Sequence, residues 1–116
     1  MYLVDDSNVL ILHGCKAADS KKARDIKVLD ISDISPITDY FIICSAPSTV
    51  QVKAISDEIE SKLVENGFKV YHKEGYSTGH WILLDFGNVI IHVFHEEDRD
   101  FYSLERLWAD AEVINF

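Results

Sequence analysis

The chain has 116 residues, 47% hydrophobic and 27% charged, which fits one globular domain with a single modest core. Its 20 acidic residues against 11 basic ones give a formal net charge of −9, a balance that disfavours direct binding to nucleic acid, where Lys and Arg must neutralise phosphates. The same charge suits a basic partner or plain solubility, and the longest apolar run is far short of a bilayer span.

Asp5, Asp6 and Asp19 precede or flank the first apolar run with no basic region before it, so no targeting segment is expected. A helix is predicted between Asp6 and Arg24, where the Ala17 to Arg24 stretch is alanine-rich. Ile26 to Ile31 is short and β-branched and reads as a first strand. Asp30 to Pro36 then reads as a turn. The nearly continuous apolar run Thr38 to Cys44 reads as a strand covered on both faces, ended by Ser45-Ala46-Pro47.

Ser48 followed by Gln51 is a capping-box pattern. Beyond it Val52, Ile55, Ile59 and Leu63 recur at helical spacing, so a helix is predicted over 48–66 with Gly67 as its stop. Phe68 to Lys73 alternates and reads as a half-exposed strand; Gly75 to Gly79 reads as a loop. Glu96-Glu97-Asp98 opens a last helix with acidic groups at its positive end, on which Phe101, Leu104, Leu107 and Trp108 share a side. Residues 109–116 read as a short tail. The expected fold is α/β: a single layered domain with a mixed sheet of about five strands flanked by helices.

Between those elements lies the most informative stretch, Trp81 to His95. Two β-prone runs, Trp81 to Phe86 and Val89 to His95, flank Gly87-Asn88, a two-residue hairpin signal. With that loop, Phe86 faces Val89, Asp85 faces Ile90, and the pairing continues outward to Trp81 and Phe94. Because side chains alternate, one face holds Ile82, Leu84, Phe86, Val89, Ile91 and Val93 and reads as core. The other holds Trp81, Leu83, Asp85, Ile90, His92 and Phe94. Either a helix covers this mixed face, with Asp85 and His92 pairing at its edge, or it is a docking surface, since aromatics around a few polar groups are the composition of interface hot spots.

Other constellations are weaker. Asp85-Phe86-Gly87 spells the kinase metal-binding triplet, but the glycine-rich loop, strand lysine and catalytic loop are missing. His92 and His95, three apart on a strand, point to opposite faces and do not share an ion. His80 lies near His95 in the hairpin register, yet no carboxylate or Cys is seen to complete a site, so no metal or other cofactor is expected. Asp98 and Asp100 echo the paired acids of a nucleotidyltransferase, but residues two apart on a helix do not face each other. Cys15 and Cys44 lack a C-x-x-C spacing and are expected to be reduced thiols in a cytoplasmic protein.

Taken together, several segments resemble one known family: Lys22-Ala23-Arg24-Asp25-Ile26 with Leu29-Asp30, Ile37-Thr38-Asp39-Tyr40-Phe41-Ile42-Ile43-Cys44, Glu74-Gly75, Trp81-Ile82, Asp85-Phe86-Gly87, Val89-Ile90-Ile91-His92-Val93-Phe94, and Glu96-Glu97 with Arg99, Tyr102, Leu104-Glu105 and Leu107-Trp108. From about Ala17 to Trp108 the chain resembles the ribosomal silencing factors, also called the Iojap family. Asn88 stands where the family commonly has Asp, Ala46-Pro47 where a glycine is usual, and residues 1–14 match nothing that can be placed.

The resemblance implies a core similar to a nucleotidyltransferase but without catalytic residues, often a homodimer when free. It also implies binding to the large ribosomal subunit through its ribosomal protein fourteen. Joining with the small subunit is then blocked sterically, and translation is repressed, especially under nutrient limitation. The mixed hairpin face falls on the segment the family uses for that contact, so Trp81, Leu83, Asp85, Ile90, His92 and Phe94 are the expected partner-binding residues, with no catalytic residue. The alternative, a nucleotidyltransferase-type enzyme acting on a nucleotide, rests on fold analogy and Asp98/Asp100.

Overall fold

The computed structural model describes residues 6–102 and 111–114. In chain order the elements are α1 (Asp6–Ser20), β1 (Arg24–Asp30), β2 (Tyr40–Ala46), α2 (Thr49–Glu65), β3 (His72–Glu74), β4 (Trp81–Asp85), β5 (Val89–His95), α3 (Glu96–Tyr102) and β6 (Glu112–Ile114). The strands form one sheet of order β3-β4-β5-β2-β1-β6. Only β2 and β5 run parallel; the other neighbours are antiparallel.

The hairpin sets the register. Trp81 pairs with Phe94, Ile82 with Val93, Leu83 with His92, Leu84 with Ile91 and Asp85 with Ile90, as a two-residue loop dictates. Gly87 takes φ +89° while Asn88 does not enter the left-handed region. The strained position is thus the first of the loop, which glycine fills at little cost. Asp85 Oδ1 accepts the Gly87 N–H at 2.8 Å. Thr38 donates its hydroxyl to the Gly87 carbonyl at 3.0 Å, and the Asp39 and Tyr40 N–H groups both reach the Asn88 carbonyl. The Thr-Asp-Tyr segment therefore fastens the start of β2 to the hairpin turn, and β2 continues alongside β5 from Tyr40–Val89 to Ala46–His95.

Both long helices pack on one face of the sheet. There Ile82, Leu84, Phe86, Val89, Ile91 and Val93, the hairpin face expected to be core, are buried with Leu10 and Ile11 of α1 and Val52, Ile55, Ile59 and Leu63 of α2. Helix α2 starts as its sequence requires, with Ser48 accepting the Gln51 N–H at 3.1 Å. The reciprocal half of the capping box is not formed: the Gln51 amide instead donates to the Lys21 and Lys22 carbonyls after α1, so it joins the two helices rather than closing its own.

The opposite face carries a second cluster of Leu29, Ile31, Phe41, Ile43 and Phe94, with Trp81, Ile90 and Ala111 packed on it. Helix α3 meets β5 and β2. Its Arg99, buried to 7% exposure, donates to Ser45 Oγ at 3.1 Å and to the Arg24 carbonyl at 3.4 Å. Leu104, Leu107 and Trp108, expected to share the side of this helix, lie outside the described residues.

Three boundaries differ from the sequence reading. The sheet has six strands rather than about five, because Glu112–Ile114, within the segment read as a tail, pairs with Val28–Asp30. The strand expected over Phe68–Lys73 is confined to His72–Glu74: its residues are exposed and it holds only an outer edge of the sheet, where Lys and Glu guard against further pairing. Strand β2 runs on through Ser45 to Ala46, since both residues are buried and paired with Phe94 and His95.

Candidate docking face

The six residues singled out on the hairpin lie together on the sheet face opposite α1 and α2, but at two depths. Trp81, Leu83, Asp85 and Ile90 are half-buried, whereas His92 and Phe94 are 4% and 1% exposed. The inner pair holds the outer residues in place. Trp81 stacks on Phe94 with ring centroids 4.9 Å apart and an interplanar angle of 28°, and its indole N–H donates to His92 Nδ1 at 3.0 Å. Phe41 meets the same imidazole edge-on at 4.6 Å. The result is an aromatic wall in which the half-buried Trp81 is backed by three buried rings, Phe41, His92 and Phe94.

Burial lowers the His92 pKa to about 4, so the ring is neutral at physiological pH. Its Nδ1 accepts from Trp81, which leaves the proton on Nε2; that nitrogen is enclosed and has no hydrogen-bond partner among the described residues. The pairing of Asp85 with His92 expected for a covered face is not formed. Asp85 turns to the Gly87 amide instead, because the loop's first N–H lies two residues away and has no other partner in the hairpin.

Phe41 was missed by sequence reasoning. It reaches the site through the parallel β2–β5 pairing, which sets Phe41 beside Ile90 and Ile43 beside His92. The alternation Phe41, Ile43, Ser45 marks one face of its strand, but nothing local says which strand lies next to it.

His92 and His95 point apart as expected: His92 sits in the aromatic wall, and His95 faces His80 with ring centroids 5.8 Å apart. The expectation that no carboxylate joins His80 and His95 is corrected. Asp98, in the first turn of α3, places Oδ2 2.7 Å from His80 Nδ1 and 3.8 Å from His95 Nδ1. Asp98 is thus directed to the two histidines.

Both cysteines are free, and burial pushes the Cys15 and Cys44 thiols up to about 11 and about 12, leaving them protonated and unreactive at neutral pH. A cleft of about 660 Å³ lies elsewhere, lined by Leu12, Cys15, Ile26, Val28 and Ile114 among others; it includes none of the hairpin face. Among the described residues no helix is long and apolar enough to cross a membrane.

The single α/β domain thus carries, on the sheet face opposite α1 and α2, an aromatic cluster of the composition found at protein interfaces. The family model "Ribosomal silencing factor during starvation" matches residues 4–116, beginning inside the segment 1–14 that sequence reasoning left unplaced. The ribosomal silencing factor of Bacillus subtilis is 47% identical over 99 residues, covering 85% of this chain and 84% of its own. A crystal structure of a Chromobacterium violaceum protein superposes with a TM-score of 0.86 at 32% identity, covering 88% of this chain and 85% of that one. The mouse protein named "Mitochondrial assembly of ribosomal large subunit protein 1" is 35% identical over 92 residues, 77% of this chain and 40% of its own length. The chain belongs to the ribosomal silencing factor family.

Proposed function

We propose that this chain represses translation by seating the hairpin's mixed face on ribosomal protein fourteen of the large subunit, where its bulk blocks joining with the small subunit. Trp81, Leu83, Asp85 and Ile90 make the contact, and His92 and Phe94 hold Trp81 ready behind it. The observation that carries this reading is the Trp81–His92–Phe94 cluster. A half-buried Trp, fixed by a buried hydrogen bond and a stacked ring, enters an interface with little rotamer entropy left to lose.

Three further considerations support it. The family resemblance implies a contact on this segment. The printed name of the mouse relative links that protein to the ribosomal large subunit. The net charge of −9 suits a basic ribosomal protein, because complementary charge speeds encounter and helps select the partner. The factor acts in the cytoplasm, is a homodimer when free, and needs neither a cofactor nor a chemical step.

Co-sedimentation with purified large subunits tests the contact. The wild-type chain is expected to co-migrate with large and not with small subunits. Trp81→Ala is expected to weaken the contact by about 2 kcal/mol or more, roughly 30-fold, as for a central hot-spot aromatic. Asp85→Lys should weaken it through reversed charge. Binding by both folded variants at the wild-type level contradicts the assignment of this face.

A further inference from the structure

Beside the aromatic wall, at the open end of the hairpin, three side chains of metal-ligating type converge. His80 immediately precedes β4, His95 ends β5, and Asp98 lies in the first turn of α3. One ligand atom from each lies within 4.8 Å of the other two. The two histidines are held opposite each other by the hairpin itself, since the His95 N–H donates to the His80 carbonyl at 2.9 Å. Asp98 is placed by helix α3, which starts at Glu96 directly after His95 and so sets Asp98 one turn on from it.

We propose that His80, His95 and Asp98 form a binding site for a divalent transition-metal ion of the zinc class. Two imidazoles and one carboxylate are a donor set suited to Zn²⁺, with a fourth position open to water. The protein's negative charge favours a cation there. The least satisfied atom of the cluster is His95 Nδ1, which is enclosed and has no hydrogen-bond partner among the described residues. The nearest carboxylate oxygen is 3.8 Å from it, too far for a hydrogen bond. Two donors on one zinc, each at about 2.0–2.2 Å, stand somewhat more than 3 Å apart, so a small closure brings this pair into coordination. Asp98 Oδ2 now hydrogen-bonds His80 Nδ1 at 2.7 Å; on binding, the ion takes the place of the shared proton. Its effect is to fasten the start of α3 to the ends of β4 and β5. This holds whether or not the mixed face docks on a ribosome.

The test is titration of the full-length, untagged protein with zinc chloride, followed by calorimetry and by ¹⁵N resonances of the histidine rings. Saturation at one equivalent is expected, with shifts in the ring ¹⁵N signals of His80 and His95 and none at His13 or His72. His80 and Asp98 are partly exposed, at 58% and 28% of their side chains, so His80→Ala and Asp98→Asn should fold normally, which circular dichroism checks. Each is expected to weaken zinc binding by about tenfold or more, while His72→Ala leaves it unchanged. The proposal is overturned if the folded wild type shows no saturable binding, if His80→Ala and Asp98→Asn bind as wild type does, or if the resonances that move belong to His72.

Discussion

The indole N–H of Trp81 donates to Nδ1 of His92 across the hairpin at 3.0 Å. The two residues are diagonal neighbours, since Trp81 pairs with Phe94 and His92 lies two positions before it. The bond therefore spans both strands at the point where the sheet face passes from buried to half-exposed. It fixes the imidazole as the neutral tautomer with its proton on Nε2, and it stops the Trp81 ring from swinging away from Phe94. The outer wall of the mixed face is thus set by the protein's own interior.

That burial makes His92 a determinant of acid stability. Its folded pKa is lowered to about 4 from 6.5, so between those values the unfolded chain binds a proton that the folded chain refuses. Stability from this group is intact above about pH 6.5 and falls as pH drops towards 4. The loss between pH 7 and pH 5 is about 2 kcal/mol. Urea unfolding of wild type and His92→Phe at both pH values checks this, because the variant lacks the titrating group. The difference between the two pH values should shrink by that amount in His92→Phe; an equal pH dependence in both proteins would contradict the account.

Gly75 supports the same face from the β3–β4 side. It has φ +81°, and a Cβ built on it would lie 1.9 Å from the Trp81 carbonyl oxygen. The clash is with backbone at the very residue whose side chain leads the docking wall. Gly75→Ala is expected to cost about 2 kcal/mol or more, seen as a lower urea midpoint with an unchanged slope. Its tryptophan fluorescence should also shift as the Trp81 environment loosens. A midpoint within error of wild type would mean that the loop moves aside at no cost.

Local patterns made the hairpin and α2 legible. Alternation with period two around Gly87-Asn88 leaves only one register that keeps Ile82, Leu84, Ile91 and Val93 together, and Ser48 with the Val52–Leu63 stripe marks the helix. What could not be read depends on neighbours distant in sequence. Strand β6 has only three residues and acquires its identity from pairing with β1. Phe41 joins the site because β2 lies parallel to β5, and the chain carries no local mark of that crossover. His80 and His95 were predicted to be near each other from register alone. Asp98 was missed although the end of β5 at His95 and the start of α3 at Glu96 were both legible, because the direction in which the first turn of α3 runs over the hairpin is set by its packing on β5 and β2.

In the proposed function, the mixed hairpin face keeps ribosomal subunits apart. The most direct measurement mixes purified large and small subunits with the factor and follows the joined fraction on sucrose gradients. The wild-type chain is predicted to shift the population to separate subunits, while folded Trp81→Ala and Asp85→Lys leave most subunits joined. Unimpaired joining in the presence of excess wild-type protein, or equal blocking by both variants, would contradict it.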